Sequence, residues 1–381
     1  MALHSTPQTT PHAQVHRQLH RHAHQRTHPT RRGMTLVELM VGMAVGLFVA
    51  TVAIATFVST RTLNVVNAST TRMSENARLA MDLLHTDLRS SGFAGCWPLA
   101  QRRDDPPLSV LQGGAADGFI TTGSSGLLGF NGTGTGFSPA LPTVFSSLGT
   151  AALPGSTAPL PGSDIVSVRV PADNVALGVI APMATPDAAP VVRAATPGNT
   201  MVKGDIVLIA NCESSAMFQV TEENPAATGV LSRAVGAGAA RSNTTTNLQK
   251  TYRSDATVYR LETRHYYVAP SAVRPGTNSL WRLEVSGALK PAGGLSAVEV
   301  ANGIDDIEIS YGVDTVSPPA NVSRYVDATA VTDWDRVLSA RIEMVAATPD
   351  DNMARVQAAS APDRRLRSNL TEVVTLRNGA P

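Results

Sequence analysis

The hydrophobic pattern divides the chain into segments of different character. Residues 1–33 show no apolar period, whereas Leu39–Thr60 is a run of 22 residues without a formal charge, rich in Val, Ala, Met, Leu and Phe. About 20 apolar residues cross the hydrocarbon layer of a membrane, so this run predicts a membrane-spanning helix. Beyond it, apolar residues recur at steps of three or four, which is typical of one face of an amphipathic helix. This face consists of Leu63, Val66, Thr70, Met73, Ala77, Ala80, Leu84 and Leu88.

One continuous helix is predicted over residues 34–91. No proline lies between Met34 and Trp97, Arg89 falls in the last turn, and Gly92 is suited to the position after the helix. Residues 34–58 are apolar nearly all round and favour lipid or other helices, whereas residues 59–91 have one apolar face and favour packing against a domain. On the outer surface, Arg78 and Asp82 have the spacing of an ion pair.

The rest of the chain, residues 92–381, predicts a β-rich head. Residues 104–163 are rich in Gly, Pro, Ser and Thr and predict long loops with one short strand. No helical period long enough for parallel crossovers separates the later strand-like runs, so an antiparallel sheet and an α+β fold are expected. The predicted strands are 164–170, 204–212, 217–222, 256–269, 280–285, 304–313 and 336–347, with a hairpin between the second and third.

Charge is distributed unevenly along the chain. The net charge is +1, but residues 1–33 hold five arginines and no acidic residue, so the remainder carries 31 − 5 = 26 basic against 30 acidic residues. The basic arm, which also holds seven of the nine histidines, is expected to be disordered. By the positive-inside rule it stays in the cytoplasm and the head lies on the other side of the membrane.

Small residues form a stripe on the apolar helix. Gly42, Gly46 and Ala50 follow one another at four-residue spacing, which places them on one face. Such stripes let helices approach closely in membranes. We interpret this stripe as a packing face for another helix.

The two cysteines, Cys96 and Cys212, leave three alternatives open: reduced core residues, half of a metal site, or one disulfide. Metal sites usually have more ligands at closer spacing. If the chain is exported, a disulfide is favoured.

Three interpretations compete for residues 17–60. A secretory signal peptide cut after Ala55 fits the basic start and the small residues Ala53 and Ala55, but the apolar run is too long for it and contains Glu38. The product would then be a soluble periplasmic binding protein beginning at Thr56. A plain signal anchor leaves Gly33 and Glu38 without a role.

The third interpretation rests on the stretch RRGMTLVELMVGMAVGLFVA, residues 31–50, which resembles the class III signal of type IV prepilins. The resemblance implies that a membrane prepilin peptidase cleaves between Gly33 and Met34 and that the new amine of Met34 is methylated. Residues 1–33 are then a removed leader, and Glu38 is the characteristic glutamate of the signal.

This resemblance gives Glu38 a physical role. A carboxylate in an apolar setting is costly alone and tolerated when paired. In an assembled bundle it can pair with the Met34 ammonium of a neighbouring subunit and set the axial register of the helices, as buried polar residues do in coiled coils. The sequence departs from the usual pattern at Met34, where Phe is common, at Ala55, near which major pilins often have proline, and in the length of its leader, which suggests a start codon assigned too early.

Further stretches resemble the PilW family of minor pilins: residues 78–97, 204–222 and 300–314. The resemblance implies a pilin-like fold, a disulfide between Cys96 and Cys212, and a role in priming pilus assembly, near the tip. The implied partners are the prepilin peptidase, other minor pilins, the major pilin and, before assembly, the inner membrane; afterwards the protein is in the pilus at the cell surface. A J-like pseudopilin of a type II secretion system is the near alternative, because it shares this signal.

Residues suited to other chemistry are few. Cys212 with His265 or His85 has the residue types of a nucleophile and a base, Asp305, Asp306 and Glu308 those of a cation site, and Gly132–Gly136 (GTGTG) faintly resembles a phosphate loop. Arg264 and Arg282 beside exposed aromatics are residue types that touch DNA. Pairing of the cysteines in an exported chain weighs against catalysis, and a turn into the strand accounts for Asp305. No strand is predicted before Gly132–Gly136 and no helix after it, and the lack of a basic cluster weighs against DNA. Neither an enzyme, a cofactor, a metal nor a nucleic-acid partner is therefore expected.

Overall fold

The computed structural model describes residues 33–96, 106–113, 118–123, 126–194, 199–236, 241–287, 291–315, 321–351, 353 and 363–377. Residues 1–32 of the predicted leader lie outside the described residues. Internal contacts divide the chain after Thr62 into two units, residues 1–62 and 63–381, and each is described by itself.

The predicted long helix is confirmed. Helix α1 spans Leu36–Ser90 without interruption, with Glu38 in its first turn and Arg89 in its last turn. Just past its end, Gly92 has a φ of +70°, a conformation that glycine adopts without strain. The long apolar helix followed by a β-sheet head gives the expected α+β, pilin-like organisation.

In the first unit, the helical residues up to Thr62 are exposed along their whole length. The helix is long and apolar enough to cross a membrane, and its most apolar window has no buried residues. Large apolar side chains such as Leu36, Leu47 and Phe48 remain about 70% exposed. Among residues 33–62, the described part of this unit, nothing therefore covers the apolar surface of α1.

In the second unit, the head covers one face of α1. The buried positions of the helix repeat at steps of three or four, as predicted, but they begin only at Ser69, since Leu63 is 61% exposed. The predicted pairing of Arg78 with Asp82 does not form: neither has an ion-pair partner among the described residues. The buried helical residues are Ser69, Met73, Ala77, Ala80, Met81, Leu84, Asp87 and Leu88.

Within its described residues the head contains fourteen strands and two short α-helices. The helices are α2, Gly118–Thr121, and α3, Pro225–Thr228. The strands are β1 Leu108–Ser109, β2 Leu127–Gly132, β3 Phe137–Ser138, β4 Ile165–Ala181, β5 Val191–Val192, β6 Ile206–Ala210, β7 Ser215–Gln219, β8 Thr257–Pro270, β9 Asn278–Val285, β10 Leu295–Asn302, β11 Ile304–Val313, β12 Arg324–Val326, β13 Val337–Ala347 and β14 Arg367–Thr375.

These strands form two sheets where the sequence predicted one. The larger has ten strands, with β1-β7-β6-β8-β4-β2-β3 as its main path, while β9 and β10 extend from β8 and β5 pairs with β4. The smaller has the order β12-β11-β13-β14. Pairing is antiparallel as expected, except that β1 runs parallel to β7.

Two residues just before β4 join the sheets by covering a free edge of β11. The amide of Asp164 donates to the carbonyl of Ile307 at 2.8 Å. In return, the amide of Ile307 donates to Ser163 Oγ at 2.9 Å and that of Ile309 to Asp164 Oδ2 at 2.8 Å. Side chains thus satisfy backbone groups that a further strand would otherwise pair with.

The buried face of α1 shares a hydrophobic cluster with both sheets. Met73, Leu84 and Leu88 belong to the same cluster as Val166 and Tyr266 of the large sheet. The small sheet contributes Ile307, Ile309, Ile342, Met344 and Val374 to this cluster. From Ser69 onward, one face of the helix is therefore part of the core of the head.

Most predicted strands are present, and the predicted hairpin is formed by β6 and β7. Residues 104–163 hold more structure than long loops with one strand, since β1, β2 and β3 lie there and β2 pairs with β4. These strands are short and lie among many Gly, Ser and Thr residues, so the sequence pattern does not predict them. They form because they pair with strands that are distant in the sequence. The strands β5, β10, β12 and β14 also went unpredicted.

Candidate functional site

The start of α1 is closed by a reciprocal pair of hydrogen bonds between Thr35 and Glu38. The amide of Glu38 donates to Thr35 Oγ1 at 3.2 Å, while the amide of Thr35 donates to Glu38 Oε2 at 3.1 Å. The Thr35 hydroxyl also donates to Oε2 at 3.2 Å. This is a capping box, which satisfies amides that have no partner at a helix start.

The capping box was missed by the sequence analysis, although its signal is plain: Thr35 and Glu38 have the Thr-x-x-Glu spacing directly before an apolar run. Only Oε2 of Glu38 takes part in it. The other oxygen, Oε1, accepts no hydrogen bond within the described part of the chain. One carboxylate oxygen of Glu38 thus accepts hydrogen bonds from its own helix, and the other remains available to a partner.

The predicted cleavage residues lie next to this cap. Gly33 and Met34 precede α1 in non-helical backbone, and Met34 is 69% exposed. An added Cβ at Gly33 would meet nothing within 4 Å. The bond between them is therefore accessible, and Met34 lies four residues before Glu38.

The predicted packing stripe is open. An added Cβ at Gly42 or Gly46 would meet nothing within 4 Å, and Ala50 is exposed. None of the described residues of this unit requires glycine at either position, although glycine weakens a helix by about 1 kcal/mol relative to alanine. The presence of glycine at these two positions is therefore explained either by contacts with another chain or by the conformation of the helix backbone.

A buried ion pair fixes the other end of α1 to the large sheet. Arg264 Nη1 on β8 donates to Asp87 Oδ1 at 2.8 Å, and the Tyr266 hydroxyl donates to Asp87 Oδ2 at 2.6 Å. A second nitrogen of Arg264 donates to Glu262 at 2.9 Å. Asp87 and Arg264 are each less than 10% exposed, so the pair is shielded from water.

The electrostatics of this group follow from its burial and its charges. Burial alone lowers the pKa of Arg264, but Asp87 and Glu262 outweigh it and hold that pKa above its usual value. Burial raises the pKa of Tyr266, and the neighbouring Asp87 carboxylate raises it further. Arg264 thus stays charged and Tyr266 stays a hydrogen-bond donor throughout the physiological range.

Other polar contacts hold the helix along its length. His85 Nδ1 lies 2.5 Å from Glu372 of β14, and Asn76 donates to the carbonyl of Asn302 at 2.9 Å. At the N-terminal end of the buried face of α1, Ser69 donates to Asp350 at 3.2 Å. These contacts fix the rotation of the helix about its own axis and its axial position against the head.

Cys96 and Cys212 form a disulfide, as the resemblance implied. It ties the chain just after α1 to the turn between β6 and β7 across 116 residues. Closing a loop of this length contributes roughly 4–5 kcal/mol in the chain-entropy model. The bond also removes Cys212 as a nucleophile.

The remaining histidine candidate, His265, is closed off from solvent. His265 is fully buried, its Nδ1 lies 2.5 Å from Ser167 Oγ, and burial lowers its pKa to about 3. A neutral, inaccessible imidazole has no route to a substrate.

The other candidates are also engaged in structural contacts. Asp305 pairs with Arg367 at 2.8 Å, and Arg282 pairs with Glu284 at 2.6 Å. Among the described residues no group of three or more metal-ligating side chains occurs. The segment Gly132–Gly136 is the turn between β2 and β3, where the amide of Thr133 donates to the carbonyl of Gly136.

Comparison with known protein families supports the resemblance seen in the sequence. Residues 265–378 match PilW, the type IV pilus-assembly protein W, and residues 29–54 match the prokaryotic N-terminal methylation motif. No curated protein and no solved structure matches the chain. The PilW match begins inside β8 and covers the small sheet, while the methylation motif covers Gly33, Met34 and Glu38. Together, this motif ahead of the long apolar helix and this match in the head support a PilW-family type IV pilin.

Proposed function

We propose that the chain is a minor pilin whose helix enters the core of a type IV pilus. The prepilin peptidase cleaves between Gly33 and Met34, and the new amine of Met34 is methylated. Before assembly, residues 34–58 anchor the protein in the inner membrane, with the N-terminal side cytoplasmic and the head periplasmic. It then primes assembly or is incorporated near the tip, together with other minor pilins and the major pilin.

The observation that carries this proposal is the position of Glu38. Its carboxylate lies in the first turn of an exposed apolar helix, four residues after the proposed new N-terminus, and among the described residues only Oε2 accepts hydrogen bonds. Oε1 is therefore available to the Met34 ammonium of a neighbouring subunit. In an apolar bundle such a pair sets axial register, because any other height leaves a charge unpaired.

The apolar surface of α1 supports bundle packing. All its apolar side chains up to Thr62 are exposed, and Gly42, Gly46 and Ala50 form a strip of small residues among them. Small residues allow close approach of helix backbones. We assign this strip to contacts with the helices of other pilins.

The head serves in this proposal as a structural body and not as an enzyme. Cys212 is in a disulfide and His265 is buried, and these were the residue types suited to catalysis. The matched pilin domains are structural. Contacts with other minor pilins are assigned to the outside of this head.

The decisive experiment is N-terminal sequencing of the mature protein. We expect it to begin at methylated Met34, and Gly33→Ala to leave an uncut precursor, whereas Gly46→Ala, as a matched control, is cut normally. A mature chain beginning at Thr56 would instead indicate a periplasmic protein released by signal peptidase. Normal processing of Gly33→Ala would also overturn the proposal.

Assignment to a pilus and not to a secretion pseudopilus rests on the PilW match. Deleting the gene should abolish or reduce surface pili and leave type II secretion intact. Loss of secretion with normal piliation would favour the J-like pseudopilin instead.

A further inference from the structure

A cleft of about 450 Å³ opens in the head between α1 and the turn that joins β8 to β9. Two arginines line it, Arg72 on the helix and Arg274 on the turn. The other lining residues are Asn76, Val273, Asn302 and Pro349.

The turn beside the cleft is held rigidly by one carboxylate. Glu299 on β10 accepts hydrogen bonds from the hydroxyls of Ser271 and Ser279, at 2.6 and 2.7 Å, and from the amides of Ala272 and Val273. These four donors outweigh the effect of its partial burial and lower the pKa of Glu299. The turn is therefore fixed over the physiological pH range.

This rigid turn presents an apolar side chain to solvent. Val273 is 83% exposed, more than any other large apolar residue in the described part of the chain. A side chain held this far out by a fixed backbone loses little entropy when a partner covers it.

The two arginines differ in how they are neutralised. Arg274 donates to Asp350 at 2.9 Å, and Asp350 also accepts from Ser69. Arg72 is exposed and has neither a hydrogen-bond nor an ion-pair partner in the part of the chain that the structure describes. The cleft therefore holds one uncompensated positive charge, on a protein whose residues 34–381 carry a net charge of 26 − 30 = −4.

We propose that this cleft binds a carboxylate side chain of a partner protein, with Arg72 and Arg274 as donors and Val273 packing against an adjacent apolar residue. A planar carboxylate matches the fork of a guanidinium. A single negative charge balances the single uncompensated arginine, whereas the second charge of a phosphate dianion has no counter-charge there and increases the repulsion from Asp350. This site goes beyond the proposed cleavage and helix packing and is tested without a pilus.

The test uses the full mature chain in detergent micelles, with arginine side chains labelled with ¹⁵N. The probes are the capped tripeptide Ac-Leu-Asp-Leu-NH₂, its neutral counterpart Ac-Leu-Asn-Leu-NH₂, and inorganic phosphate. We expect the acidic peptide alone to shift the Nε signals of Arg72 and Arg274 saturably. Arg72→Gln should weaken its binding at least tenfold.

Arg78→Gln is the matched control, since Arg78 is an exposed arginine on the same helix without an ion-pair partner among the described residues. We expect it to bind the acidic peptide as the parent chain does. The proposal is overturned by an unsaturable response, by equal binding of the neutral peptide, by tighter binding of phosphate, or by equal weakening in Arg78→Gln.

Discussion

Oε2 of Glu38 lies 3.1 Å from the backbone nitrogen of Thr35 and 3.2 Å from its hydroxyl, so the glutamate at the start of α1 already has a partner in its own chain. This contact gives Glu38 two separable roles. Capping needs an acceptor oxygen, which glutamine also provides. An ion pair with a neighbouring Met34 ammonium needs the negative charge.

Glu38→Gln is therefore expected to keep the helix start but to lose assembly. The variant should be cleaved at Gly33 like the parent chain, yet its amount in sheared pili should fall at least about tenfold. The reason is that one hydrogen bond to a charged group contributes about 1.5–3 kcal/mol. Immunoblots of sheared pili, normalised to membrane protein, measure this.

Thr35 variants provide the reciprocal control. Thr35→Val keeps the charge of Glu38 but removes the hydroxyl of the cap, which costs about 1 kcal/mol of helix stability, and Thr35→Ser restores it. We expect incorporation to fall less in Thr35→Val than in Glu38→Gln. The reverse order would show that capping, and not charge, is what assembly requires.

Asp87→Asn is expected to destabilise the head strongly. Arg264 would remain buried with only Glu262 as its ionic partner, and breaking a buried pair by removing one member typically costs about 3–5 kcal/mol. Urea unfolding followed by tryptophan fluorescence measures the free energy of unfolding of the full chain in micelles. Asp82→Asn is the matched control, because Asp82 is exposed on the same helix without an ion-pair partner among the described residues, and it should change stability by less than about 0.5 kcal/mol. Equal stability of the two variants would contradict a stabilising role for the buried pair.

Helix α1 could be predicted closely because its signals are local. The absence of proline, the spacing of apolar residues and Gly92 all act within a few turns of chain, and they set bounds of 34–91 against the observed Leu36–Ser90. The same local logic would have found the Thr35–Glu38 cap. The disulfide was suggested by the placement of Cys96 and Cys212 in a resembling family, and it is present.

Other features depend on partners distant in sequence and escaped prediction. Asp87 reads as an ordinary polar residue of an amphipathic helix, and only the fold brings Arg264 to it across 177 residues. Strands β1 and β14 are defined by the neighbours they pair with, β7 and β13. The division into two sheets, and the contacts of Ser163 and Asp164 with β11 that join them, also involve distant residues that no periodicity reveals.

Stability should depend on pH through Glu308. On the outer face of the small sheet Glu308 lies directly opposite Glu343. Partial burial, with the charges of Asp164, Asp306 and Glu343, raises the pKa of Glu308 from 4.5 to about 7. Between these two pH values the folded protein holds a proton that the unfolded chain has released, so stability falls as pH rises through this window.

Glu308→Gln should remove this dependence. At pH 8 we expect it to stabilise the head by about 0.2–1 kcal/mol, the range for cross-strand pairs, since part of the Glu308 side chain remains in contact with water, which weakens the repulsion. At pH 4.5 the difference should vanish. Thermal unfolding at both pH values measures it, with Glu75→Gln on the exposed face of α1 as a control. A stabilisation of the same size at both pH values would rule out relief of charge repulsion.

Gly46 should matter only in the assembled state. A Cβ at this position meets none of the described residues within 4 Å, and replacing glycine in a helix by a better helix former is favourable by up to about 1 kcal/mol. Gly46→Leu is therefore expected to be cleaved and inserted in the membrane normally but to incorporate poorly into pili, because its side chain blocks close approach of a neighbouring helix. Ala44→Leu adds similar bulk about 200° away around the same helix, so it should incorporate more efficiently. Comparing both variants in sheared pili, against their amounts in the membrane, locates the packing face; equal incorporation would exclude the strip of Gly42, Gly46 and Ala50 as that face.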